Sequence, residues 1–118
     1  AKAEAWRNQA VRTPDGLKPT GDEVYLVALR FAWLPNPIVL DAGTTYRFHV
    51  SSQDVNHGFS VHREGEPTQK MNFQVVPGYE HVLTMEFPEP GVYHIVCQEY
   101  CGLGHQLMVG KIIVQPRR

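Results

Sequence analysis

No stretch of this chain approaches the roughly 18 to 20 consecutive apolar residues that cross a bilayer, and its N-terminus lacks the apolar run of a signal peptide. The chain as given is therefore expected to be soluble. It opens Ala1-Lys2-Ala3-Glu4-Ala5 without a methionine, which fits processing or truncation at this end and the loss of a membrane anchor. An excess of one charge is missing too: 11 basic residues nearly balance 12 acidic ones, and no Lys/Arg cluster is longer than Arg117-Arg118. Such a chain has no electrostatic footprint for a polyanion, so nucleic acid is not expected as a partner. Cysteine is scarce, with 2 residues in 118. This length fits one compact domain with its own core, so one functional site is sought.

What is present suits a turn-rich β protein. Hydrophobic residues make up 42% of the chain and charged residues 19%, with 9 Pro and 10 Gly. Residues 1–12 are rich in Ala and other helix formers, whereas Thr13 to Asp22 contain Pro14, Gly16, Pro19 and Gly21. A short helix or frayed tail followed by a linker is expected over 1–22, ahead of one β domain over 23–118. Strand-like runs then follow at Val24 to Trp33, Ile38 to Leu40, Thr44 to Ser51, Phe59 to His62, Phe73 to Val76, His81 to Phe87, Val92 to Cys97 and Gly110 to Gln115. Pro35-Asn36-Pro37, Asp41-Ala42-Gly43, Pro77-Gly78 and Pro88-Glu89-Pro90-Gly91 supply the turns. Seven or eight short strands separated by turns predict an all-β sandwich or barrel, and an antiparallel Greek-key topology is the expectation.

The chemistry is concentrated in Cys97-Gln98-Glu99-Tyr100-Cys101-Gly102-Leu103-Gly104-His105-Gln106-Leu107-Met108. Thiolate, imidazole and thioether together favour copper, because soft sulfur suits Cu(I) and imidazole suits both oxidation states. The same spacing would stripe one face of a helix. Gly102 and Gly104 argue for a loop instead, since each costs about 1 kcal/mol inside a helix and lets a loop fold tightly around an ion. His57, followed by Gly58, is the best-placed distant ligand and would tie that loop to the sheet. With one cysteine the pattern would be that of a mononuclear blue-copper site. A second thiolate four residues away can bridge two copper ions, which spreads the structural change of redox over two metals. Every ligand position is then filled, an arrangement for electron transfer rather than catalysis.

These residues carry a specific resemblance. The chain resembles the CuA domain of subunit II of haem-copper cytochrome c oxidases, a cupredoxin fold, from about Val24 to Val114. The resemblance rests on Phe31-Ala32-Trp33-Leu34-Pro35-Asn36-Pro37, Asp54-Val55-Asn56-His57-Gly58-Phe59, Pro77-Gly78, Pro90-Gly91-Val92-Tyr93 and Cys97-x3-Cys101-Gly102-x2-His105-x2-Met108. It implies a dinuclear mixed-valence centre in which one copper takes His57 and Met108. The other takes His105 and the backbone carbonyl of Glu99, and Cys97 and Cys101 bridge both. It implies further that electrons arrive from cytochrome c or a similar small carrier and pass to haem in the catalytic subunit of a terminal oxidase. The isolated domain would be a carrier without a substrate site, on the outer, periplasmic face of the cytoplasmic membrane and attached there through a missing anchor. Many relatives have a longer aromatic cluster where this chain has Phe31 and Trp33, so Trp33 is a candidate for the point where electrons arrive. In some relatives the residue at Glu99 helps bind magnesium at a subunit interface, and magnesium is left out of the site here.

Other readings stay open on the residues alone. Cys97 and Cys101 as a disulfide would close a loop worth about 2 kcal/mol on a chain-entropy basis. Zinc could use Cys97, Cys101, His105 and His57 as a tetrahedral set, leaving Met108 without a role. A CuA module of a nitric oxide or nitrous oxide reductase would share the motif. His49, His62, His81 and His94 have no soft neighbour and are expected to be surface or hydrogen-bonded structural groups. Met71 and Met85 are expected as core fillers. Asp54 is expected either to orient a ligand or to cap its loop.

Overall fold

The computed structural model describes residues 2–29, 32–54, 57–65, 69–97 and 109–116. One short helix, α1 (Lys2–Gln9), precedes eleven described strands. These are β1 (Val11–Thr13), β2 (Gly16–Lys18), β3 (Glu23–Leu29), β4 (Ala32–Leu34), β5 (Ile38–Asp41), β6 (Thr45–Ser52), β7 (His57–Arg63), β8 (Gln69–Val75), β9 (Glu80–Glu86), β10 (Gly91–Cys97) and β11 (Val109–Gln115). They form a seven-stranded sheet in the order β1-β2-β5-β11-β10-β7-β8 and a four-stranded sheet in the order β4-β3-β6-β9. The expected all-β sandwich with a short N-terminal helix is what the chain forms.

Alternation explains most of the strands. In β6, Tyr46, Phe48 and Val50 are buried while Thr45 and Arg47 face out, the period of two that a half-buried strand requires. β5 reads differently: Ile38, Val39 and Leu40 are all buried, as suits an interior strand with neighbours on both edges. Its partners are β11 and β2, both parallel to it, and β3 also pairs with β6 in parallel. The sheets are therefore mixed, a correction to the antiparallel topology expected from the turns.

Two local departures have physical causes. Residues 13–22, expected as a linker, contain the end of β1 and all of β2, an antiparallel hairpin pairing Thr13 with Gly16. Thr13 Oγ1 accepts the backbone N–H groups of Asp15 and Gly16 at 3.2 and 3.1 Å and donates to Gly16 O at 2.7 Å, closing the Pro14-Asp15 turn. Gly16 has φ +148°, and a Cβ there would lie 2.6 Å from the carbonyl oxygen of Pro37. Only glycine lets the hairpin approach the Pro35-Asn36-Pro37 turn that closely. The adjacent Leu17 N–H donates to Pro37 O at 3.0 Å, while Asn36 Oδ1 accepts the N–H of Lys111 at 2.9 Å. That turn is thus held by β2 on one side and β11 on the other. The second departure concerns β8, which starts at Gln69, inside the polar stretch Arg63 to Lys70 that the sequence suggests as a loop ahead of Phe73, because β7 offers it a long antiparallel edge.

Aromatic rings cross between the sheets. Trp33 meets Phe59 edge-on at 5.7 Å, Phe59 lies 6.5 Å from Phe48, Phe48 lies 6.2 Å from Phe87, and Phe87 meets Tyr93 edge-on at 5.0 Å. Trp33 and Phe48 come from the four-stranded sheet and Phe59 and Tyr93 from the seven-stranded one, with Phe87 just after β9, so these contacts pin one sheet against the other. Each such pair adds about 0.5–1.5 kcal/mol beyond the burial of its area.

Candidate metal centre

His57 is the first residue of β7, and its side chain is fully buried. A buried imidazole needs a partner for its ring nitrogens. His57 Nε2 lies 2.9 Å from Asp54 Oδ1, and because a carboxylate only accepts, Nε2 carries the proton. Asp54 is positioned in turn by Ser52, whose Oγ accepts the Asp54 N–H at 3.3 Å. Capping of this turn therefore falls to Ser52, and the Asp54 carboxylate reaches the imidazole. The ring of Trp33 stands 6.2 Å from that of His57, tilted by 58°. Trp33 is only 1% exposed, so it presents no surface to an incoming electron carrier.

Cys97 is the last residue of β10, and the antiparallel register sets its backbone opposite Phe59, two residues along β7 from His57. Strand pairing therefore brings the start of β7 and the end of β10 to one end of the seven-stranded sheet. The segment after Cys97 begins at that end, and β11 returns from it at Val109 beside Val96. Glu99, Cys101, His105 and Met108 lie outside the described residues. Among the described residues, no three His, Cys, Asp or Glu side chains gather as a metal cluster.

The four remaining histidines each have a hydrogen-bond partner. His62 Nε2 pairs with Ser60 Oγ at 2.7 Å, His94 Nε2 with Glu64 Oε1 at 3.1 Å, and His81 Nε2 accepts the Val76 N–H at 3.2 Å. His49, on the polar side of β6, stacks on Tyr25 at 4.2 Å with the rings 6° apart. Its Nε2 lies 2.8 Å from Glu23 Oε1, while Nδ1 lies 3.3 Å from Glu80 Oε1. The hydrogen bond from His49 is the largest cause holding the Glu23 carboxyl below its ordinary value of 4.5; partial burial opposes it, and Arg47 adds to it. Sequence reasoning missed the close approach of Gly110 to Trp33. Its only signal was a glycine early in an otherwise regular strand.

Comparison with known proteins identifies the family and agrees with the fold. Residues 19–116 match the family described as cytochrome c oxidase subunit II, periplasmic domain. Over 97 residues the chain is 42% identical to two versions of cytochrome c oxidase subunit 2 from Thermus thermophilus, covering 82% of this chain and 68% and 55% of theirs. Among solved structures, a chain of a heme-copper terminal oxidase dimer is 36% identical, with a TM-score of 0.66, over 80% of this chain and 66% of that one. The periplasmic domain of subunit II of the Bradyrhizobium japonicum cytochrome oxidase superposes with a TM-score of 0.69 over 83% of this chain and 87% of that one. At 19% identity that likeness shows the fold alone. The chain thus spans between about half and two thirds of the Thermus relatives it matches.

Proposed function

The chain belongs to the family of periplasmic domains of cytochrome c oxidase subunit II, and from that premise we propose that it carries electrons through a dinuclear copper centre. Membership in this family and the cupredoxin-like fold imply copper binding. The residues proposed to hold the metals are His57, Cys97, Cys101, His105 and Met108, with the backbone carbonyl of Glu99. The observation that carries the reading is a fully buried His57, held through Nε2 by Asp54, at the sheet end where β10 delivers Cys97. That environment fits the group: the Nε2–H tautomer leaves the imidazole lone pair on Nδ1, the nitrogen suited to a metal.

When bound, the coppers would supply a one-electron redox couple. This chain's residues do the rest. Asp54 fixes the tautomer of His57, Trp33 and Phe59 exclude water from around its ring, and the paired β7 and β10 hold the ligand-bearing ends in one register. A scaffold that does not rearrange between oxidation states keeps the reorganisation barrier low. In this proposal the donor is cytochrome c or a similar small carrier, and the acceptor is haem in the catalytic subunit of a terminal oxidase. The protein faces the outer side of the cytoplasmic membrane, and an anchor outside this sequence attaches it there. The family match favours an oxidase over a nitric oxide or nitrous oxide reductase.

Metal quantification with absorption and electron paramagnetic resonance tests the reading. Copper-loaded protein is expected to hold two coppers per chain and to show one unpaired electron spread over both nuclei. Cys97→Ser or Cys101→Ser should abolish that signature. A single copper with a simple four-line spectrum would sink the proposal, and zinc or a two-hydrogen mass loss would favour the structural alternatives.

A further inference from the structure

We infer that Trp33 is a positioning residue for the copper that His57 serves, an inference resting on the function proposed above. The Asp54 hydrogen bond fixes one ring nitrogen of His57, and packing against the ring limits its remaining rotation. Trp33 packs beside that ring, 6.2 Å away between centroids, and is itself packed edge-on against Phe59 at 5.7 Å.

The indole also lies close to β11. A Cβ on Gly110 would lie 3.3 Å from both Cβ and Cδ1 of Trp33 and 3.4 Å from Cδ1 of Ile95. Those separations are tight, so the β11 backbone is in close contact with the tryptophan. Trp33 comes from the four-stranded sheet, paired with Ala28 of β3, while Gly110 and Ile95 face each other across the seven-stranded sheet. Trp33 therefore stands between the sheets, beside His57 and close to the start of β11. A ligand locked by packing as well as by hydrogen bonding is what a metal site with a fixed geometry requires.

His57 serves one copper of the two, so moving its ring perturbs one nucleus and leaves the other. The expected signature is unequal sharing of the unpaired electron, which mere loss of stability does not produce. The experiment compares wild type, Trp33→Phe, Trp33→Leu and Gly110→Ala in the copper-loaded chain, with Phe87→Leu as a core variant remote from His57. Copper content, hyperfine pattern, reduction potential, copper loss to a chelator and urea midpoint are measured for each. Gly110→Ala is the mildest probe, because it shifts the indole by a few tenths of an ångström and leaves its chemistry intact. Trp33→Leu and Gly110→Ala should keep two coppers but show an unsymmetrical hyperfine pattern, a shifted potential and about tenfold faster copper loss. Trp33→Phe should fall between them and wild type. Phe87→Leu should lower the urea midpoint with an unaltered spectrum. Wild-type spectra and potentials in both Trp33→Leu and Gly110→Ala would overturn the inference while leaving the two-copper reading standing. A wild-type protein without a shared-electron signal would overturn both.

Discussion

Asp54 acts on His57 through a 2.9 Å contact to a ring with no solvent exposure, so losing the carboxylate leaves a buried N–H to find another acceptor. Asp54→Ala is expected to weaken copper binding about 10- to 100-fold, the usual effect of removing a partner behind a metal-bound histidine. Asp54→Asn should weaken it less, because its amide oxygen can still accept. Competition against a copper chelator measures both. A second residue-scale prediction concerns Glu23, held below its ordinary 4.5 chiefly by the His49 hydrogen bond. A carboxyl depressed in the folded state contributes stability that is fully present above its unfolded value and is lost as pH falls through the folded one. Carboxyl NMR titration should find Glu23 below 4.5 in the wild type and moved back up in His49→Leu. An unchanged titration in that variant would show that His49 is not the cause. At this scale the sequence was informative where chemistry is local. Asp54 three residues before His57 was a visible candidate for orienting it, whereas the His49 cluster joins β3, β6 and β9 and no local pattern announces it.

Elements were legible where one face of a strand meets the core. β6, β9 and β11 follow from their alternation, and the buried run Ile38-Val39-Leu40 from its lack of one. Parallel pairing was not legible, because parallel partners are joined through distant chain and leave no turn signature between them. The β1–β2 hairpin was marked by Thr13-Pro14-Asp15-Gly16, a turn sequence with a clear mechanism, yet its strands are too short to declare themselves. Its attachment through Gly16 gives a prediction. Gly16→Ala should destabilise the protein by about 1–3 kcal/mol, through a strained backbone and a clash with Pro37. Gly43→Ala, at φ +78° with nothing within 4 Å of the added methyl, should lower the urea midpoint less. Equal losses would mean that the approach to Pro37 is not the limiting contact.

For the whole molecule, the aromatic chain from Trp33 to Tyr93 joins the two sheets, and Phe48 sits at its middle with no exposed surface. Phe48→Ala should cost about 3–5 kcal/mol, read as a lower urea midpoint in copper-free protein. Copper should raise the midpoint of wild type by binding the folded state alone, and Cys97→Ser should remove most of that gain. The proposed ligand motif rests on donor type and spacing, which are chemical facts of the sequence, and its residues after Cys97 lie outside the described ones. The close packing of Trp33 on Gly110 was not legible there, because it depends on how the sheets stack.

The position of β11 has a consequence for how the sheet can come apart. It is the last of the described strands, yet in the seven-stranded sheet it lies between β5 and β10. Peeling β11 away would leave β1, β2 and β5 with no ladder to β7, β8 and β10 among the described residues. The stretch after Cys97 leads into this strand, whose first residue, Val109, pairs with Val96. An ion held by that stretch would therefore brace the one strand on which the continuity of the larger sheet depends.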